Sequence, residues 1–146
     1  MSRQLALGGQ PVLVARWGES TAVVQEHQHL NRLLLVEARR EMPELAPLVL
    51  TAAARGCALV VCLGPDAEQV VLAVEQASSG SAQAGQLMAT SWHDPTRDAD
   101  AALDAFCLFS TWVGGFPGIP LLVTEDAGLD AILDAARRLH ARTRSS

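Results

Sequence analysis

His93 stands between Trp92 and Asp94 in the run QLMATSWHDPTRDADAALDAF, where an apolar segment ends and helical spacing begins. An imidazole titrating near neutrality beside a carboxylate can act as a general base, with Asp94 or Glu125 orienting it and Arg39 holding an anionic substrate. The same residues have a structural reading: a His just after a strand caps and packs well, and Asp94-Pro95 opens a turn. Ser91 would share a strand face with His93. Residues two apart on a strand are roughly 6.5 to 7 Å apart at Cα, however, and no G-x-S-x-G elbow exposes the hydroxyl.

His27-Gln28-His29 is an H-x-H pair that on a strand shares a face and could hold a metal with His93 or Glu26. Without an i, i+4 His pair or a Cys-x-x-Cys, solvated surface is the expectation, and no metal site is assigned. Gly8-Gly9, Gly114-Gly115 and Gly118 lack the strand, G-x-G-x-x-G, helix order of a dinucleotide site; they read as turns, and no cofactor is expected. Cys57 and Cys62 fall on one expected strand, roughly 16 Å apart, too far for a disulfide. With Cys107 they read as reduced core residues, and only Cys62, near the end of its strand, is placed for reactivity.

A regular alternation positions these residues. RLLLVEA, residues 32–38, suits a strand buried on both faces, and residues 42–56 follow with Leu45, Leu48, Val49, Ala52 and Ala53 at helical spacing before Gly56. CALVVCLG repeats the strand. PDAEQVVLAVEQA repeats the helix, with Pro65 and Asp66 at its start and Val70, Val71, Val74 and Ala77 toward one face. After a small-residue loop, 78–85, QLMATSW is the third strand, and Asp94 or Asp98 caps a helix striped by Ala102, Leu103, Phe106, Phe109 and Val113. IPLLVTE is the fourth strand. Residues 126–144 form the last helix, with Leu129, Ile132, Leu133, Ala136 and Leu139 inward, acids early and Arg late, as the helix dipole prefers.

Short connections between such units require parallel pairing and right-handed crossovers. The expected class is therefore α/β: a three-layer, doubly wound (Rossmann-like or flavodoxin-like), mostly parallel sheet of four core strands plus an N-terminal strand or hairpin. The expected organisation is a single domain over residues 1–146, with an N-terminal segment 1–31, a repeated core 32–143 and a fraying tail 144–146. Within the N-terminal segment PVLVARW is a strand. Residues 19–30 either return as its hairpin partner, with GES as the turn and TAVVQ β-branched, or form a short helix; the hairpin or edge strand is the preferred reading.

At 146 residues, 49% of them hydrophobic and 18% charged, the chain is sized for one core. All eleven basic residues are Arg, scattered in a chain of formal net charge −5, so nothing gathers a phosphate backbone and nucleic acid is not an expected partner. The absence of Lys excludes Schiff-base and P-loop chemistry. Mean hydropathy is +0.19, yet no apolar run approaches the ~20 residues of a membrane span, and the start lacks a secretory-signal layout. A cytoplasmic protein without membrane contact is expected.

RLLLVEA, Gly56-Cys57 before the second core strand, Gly64-Pro65-Asp66 after it, Thr90-Ser91-Trp92-His93-Asp94 ending the third, and IPLLVTE follow one another in an order that resembles a family of small bacterial α/β proteins of unknown function. Members carry Gly-Cys, Gly with an acid soon after, and Thr-Thr-Trp-His-Asp at these places. The resemblance spans roughly residues 32 to 136. It implies the same fold and marks the Trp-His-Asp corner, without implying an activity.

Ligands of open parallel sheets bind beyond the carboxyl ends of the strands. Those ends carry Glu37, Arg39 and Arg40; Gly64, Pro65 and Asp66; Trp92, His93 and Asp94; and Glu125 and Asp126. The leading expectation is a non-catalytic binding module, a regulatory or immunity-type partner. It would recognise a protein or a small anionic ligand through Arg39, Trp92, Asp66 and Glu125, with exposed aromatic residues such as Trp17 or Trp112 as anchors. One alternative is a hydrolase or transferase with His93 as acid-base group, Asp94 or Glu125 as its orienting acid and Arg39 as anion clamp. Another is a homodimer or larger homo-oligomer assembled through an exposed edge at PVLVARW.

Overall fold

The computed structural model describes residues 3–7, 10–79, 89–93, 99–112 and 118–144. In chain order these form β1 (Arg3–Leu7), β2 (Gln10–Ala15), a 3-10 turn (Trp17–Glu19), α1 (Ser20–Gln25), β3 (Leu30–Val36), α2 (Leu45–Ala54), β4 (Leu59–Leu63), α3 (Ala67–Ser79), β5 (Ala89–His93), α4 (Ala99–Trp112), β6 (Ile119–Val123) and α5 (Asp126–Arg144). The strands make one sheet in the order β1-β2-β6-β3-β4-β5. Only the β1–β2 pair is antiparallel.

Every residue of β3 and β4 is buried, as continuous apolar runs demand of strands covered on both faces. Alternation then splits the core in two. Leu33, Leu35, Val60 and Cys62 face Val23, Val24, Leu48, Val49, Val70 and Val74 of α1, α2 and α3. Leu34, Val36, Val61 and Leu63 face Ala102, Leu103 and Phe106 of α4 and Ile132 and Ala135 of α5.

Handedness explains the split. From β2 through β3 and β4 to β5 the chain always steps the same way across the sheet, so right-handed crossovers put α1, α2 and α3 on one face. The step from β5 to β6 runs back past β4 and β3, which sends α4 to the other face. The α/β three-layer class read from the sequence is thus present, with a six-stranded mixed sheet and an N-terminal hairpin.

Two expectations for the N-terminal segment are overturned. Residues 19–30 do not return as a strand: they contain α1, and the hairpin partner of β2 is β1, with Leu7 paired to Gln10 and only Gly8-Gly9 between. Because β2 and β3 both run parallel to β6, their link must be a crossover, which a hairpin cannot supply. Adjacent Val23 and Val24 are both buried, where a strand open to solvent on one face would bury only one. Nor is PVLVARW an edge, since β2 is paired on one side with β1 and on the other with β6. In α5 Ile132 and Ala135 are buried, whereas Leu133, placed inward by its spacing, is half-exposed.

At the amino end of the sheet, sequence reading missed a buried charge. Arg32 lies under α4 with its guanidinium 5.1 Å from the Phe106 ring centroid, and Nη1 donates to Asn31 Oδ1 at 3.4 Å. Asn31 Nδ2 donates to Gly118 O at 3.0 Å, which joins this end of β3 to the residue before β6. No helix among the described residues is long and apolar enough to cross a membrane.

Candidate functional site

At the carboxyl end of the sheet β6 is the odd strand. Its helix, α5, leaves on the face opposite α1 and α2, which follow its neighbours β2 and β3. Chain segments therefore part on both sides of β6, and each parting opens a crevice of the kind where α/β sheets hold ligands.

The β2–β6 crevice is small, about 150 Å³, and its charges satisfy one another. Arg16 Nη2 donates to both Asp126 carboxylate oxygens, at 3.0 and 3.1 Å. The Arg16 backbone N–H donates to Glu19 Oε1 at 3.1 Å, and the Glu19 N–H donates to Arg16 O at 3.1 Å. That bond from the Arg16 backbone holds the Glu19 carboxyl below the usual range. Gly128 lets the first turn of α5 close down on β6 and β3, because a Cβ there would run into Thr124 Oγ1 and Val36 Cγ1.

The β6–β3 crevice is a cavity of about 280 Å³, lined by Trp17, Val36, Glu37, Arg39, Met42 and Glu125. Trp17 forms its wall. The expectation that this indole is exposed is wrong: it is 4% exposed, and Nε1–H donates to Val36 O at 3.1 Å. The indole is held under the segment leaving β3, so only an edge of it can meet a ligand.

Glu37 leaves β3 with φ of +56°, a left-handed conformation that is unusual outside Gly, Asn and Asp. Its N–H donates to Leu63 O at 2.7 Å. Gly64, with φ of +154°, lies so close that a Cβ would sit 3.1 Å from Glu37 Cα. Strain of this kind is kept where surrounding structure enforces it, often at functional sites. Beyond Glu37, Met42 folds back: the Arg39 N–H donates to Met42 Sδ at 3.1 Å and the Met42 N–H to Arg39 O at 3.1 Å. Among the described residues the exposed Glu37, Arg39 and Glu125 side chains make no hydrogen bond or ion pair, in contrast to their counterparts across β6.

Three of the residues singled out from the sequence, Arg39, Glu125 and Trp17, are therefore brought together. Glu37, noted there only as a strand-end residue, and Met42 join them. Asp66 lies in the turn between β4 and α3 and is not among the described residues lining the cavity. Trp92 and His93 end β5 in register with Cys62 and Leu63. Three strand steps, or roughly 14 Å of backbone, separate β5 from β6. The side chains of Trp92, His93 and Trp112, and all of Asp94, lie outside the described residues.

The remaining candidates resolve structurally. His27 is in the turn after α1, not on a strand, and its Nδ1 is 2.9 Å from Val23 O, which can only accept, so that nitrogen carries the proton. His29 is exposed, and no group of three His, Cys, Asp or Glu residues suited to a metal occurs among the described residues. Burial pushes the Cys62 thiol up to about 12, which removes the thiolate that reactivity requires; Cys57, also buried, is likewise raised to about 12. In comparisons with known proteins, no family model, no curated protein and no solved structure matches the chain.

Proposed function

We propose that the protein is a non-catalytic, cytoplasmic binding module of regulatory or immunity type, and that its ligand or partner is taken at the β6–β3 cavity. One observation carries this reading: Glu37, Arg39 and Glu125 line a single cavity at a switch point without committing to one another. Their equivalents across β6, Arg16 and Asp126, are locked in an ion pair. Charges left open beside buried apolar walls suit recognition, because a complementary ligand supplies hydrogen bonds that the fold does not. The resemblance to small bacterial proteins with a Trp-His-Asp signature sits beside this reading, with Trp92 and His93 of that signature ending β5.

An enzyme with His93 as acid-base group, Asp94 or Glu125 as its orienting acid and Arg39 as anion clamp would have to bring His93 past β4 to Arg39 and, where Glu125 is that acid, past β4 and β3 as well. That separation in the strand order supports binding at the β6–β3 cavity over chemistry at His93. The test is mass spectrometry of species that co-purify with the wild type, with Arg39→Met/Glu125→Gln and with His93→Ala. The proposal expects loss in the cavity double variant only, with the species released unchanged. Conversion of that species by the wild type, abolished in His93→Ala, would contradict it.

A further inference from the structure

We infer that the β6–β3 cavity takes a dibasic α-amino acid of the lysine or arginine type; this deepens the binding proposal and rests on it. The described lining presents two carboxylates, Glu37 and Glu125, and one guanidinium, Arg39. A dibasic α-amino acid carries the complement: two cations and one carboxylate. The planar fork of Arg39 suits a carboxylate held by two parallel hydrogen bonds, and the two glutamates each take an ammonium or guanidinium. A small anion, the ligand class expected from Arg39 alone, would meet two like charges for every favourable one.

The apolar part of the lining matches as well. The edge of the Trp17 indole and the half-buried Met42 side chain offer an apolar wall for the aliphatic stem between the two cationic groups. About 280 Å³ falls just short of the ~300 to 1,000 Å³ usual for drug-sized molecules, which suits a metabolite. The formal net charge of −5 adds a general field that draws cations in.

Isothermal titration calorimetry on the full chain tests this with L-lysine, L-arginine, Nα-acetyl-L-lysine, cadaverine and glutarate. The two dibasic amino acids should bind. Nα-acetyl-L-lysine, which lacks one cation and mimics a peptide C-terminus, and cadaverine, which lacks the carboxylate, should each bind about tenfold more weakly or worse. Glu37→Gln, Glu125→Gln and Arg39→Met should each weaken L-lysine or L-arginine by a similar factor, while Arg16→Met, in the other crevice, should not; thermal unfolding checks that all four fold. Absence of binding by both dibasic amino acids at millimolar concentration overturns the inference, as does tighter binding of Nα-acetyl-L-lysine. Glutarate binding that depends on Arg39 overturns the ligand class but leaves the cavity as the site. Binding of L-lysine or L-arginine that ignores all three cavity substitutions removes both proposals.

Discussion

The indole Nε1–H of Trp17 donates to the backbone oxygen of Val36 at 3.1 Å, fastening the segment after β2 to the last residue of β3, with β6 between them in the sheet. Both partners are buried. Trp17→Phe keeps most of the packing but leaves the Val36 oxygen unsatisfied, so it should cost about 1 to 3 kcal/mol. Trp17→Ala removes the wall as well and should cost about 3 to 5 kcal/mol. Urea unfolding with an unchanged m-value measures both; losses under about 0.5 kcal/mol for Phe would deny the bond its role.

Backbone crowding predicts a graded series of glycine substitutions. At Gly118, with φ of +123°, a Cβ would meet the backbone of His29, Leu30 and Asn31 at 2.8 to 3.0 Å, so Gly118→Ala should be the worst. Gly64→Ala, next to Glu37, should cost roughly 1 to 2 kcal/mol. Gly18→Ala meets nothing within 4 Å and should be nearly silent. Glu37→Gly relieves a left-handed residue and should leave stability equal or higher, whereas β-branched Glu37→Val should lower it. Equal effects of the three Gly→Ala changes in thermal unfolding would refute the series.

Alkaline stability should be set by cysteine. The chain has no Lys and no Tyr, so between pH 9 and 12 its cysteines are the only side chains that titrate. Burial raises the Cys57 and Cys62 thiols from 9.0 to about 12, so in that window the unfolded chain has lost protons that the folded chain keeps. Their contribution is complete below pH 9 and is lost as pH climbs toward 12, at up to about 1.4 kcal/mol per pH unit for each thiol. Denaturant unfolding from pH 8 to 11 should show this decline, and Cys57→Ala/Cys62→Ala should flatten it. A slope unchanged in the double variant would contradict the assignment.

The Arg16–Asp126 pair closes its crevice without adding much stability. Its side chains are 54% and 71% exposed, so a double-mutant cycle should give a coupling of at most about 1 kcal/mol. Salt at 0.5 M should reduce it further, since the screening length falls below about 5 Å. A coupling of about 2 kcal/mol or more, or one insensitive to salt, would show the pair to be more than a surface contact.

Strands buried on both faces were legible because they are continuous apolar runs, and the last helix was legible over its full extent because acids, apolar stripe and Arg agree. Strand order was not. That β6 inserts between β2 and β3 follows from which edges meet in space, and no local pattern in IPLLVTE records it. For the same reason Arg39 and Glu125 could each be marked as strand-end residues, but not as neighbours. Five residues of β1 are too few to show a period, so the β-branched TAVVQ took the hairpin role in the reading of the sequence. Trp17 was misjudged because its partner is a backbone oxygen, and the left-handed Glu37 leaves no mark in the sequence, since its conformation is imposed by Leu63 and Gly64.

The most direct test of the β6–β3 cavity as the binding site is a ¹⁵N–¹H correlation spectrum of the full chain, titrated with a mixed library of anions, cations and zwitterions that includes L-lysine and L-arginine. Recognition there predicts that the largest shifts fall on the Trp17 indole N–H and on the amides of Glu37, Arg39 and Met42, and vanish in Arg39→Met/Glu125→Gln. Shifts confined to the end of β5, around Trp92 and His93, or to Arg16 and Asp126, would contradict it.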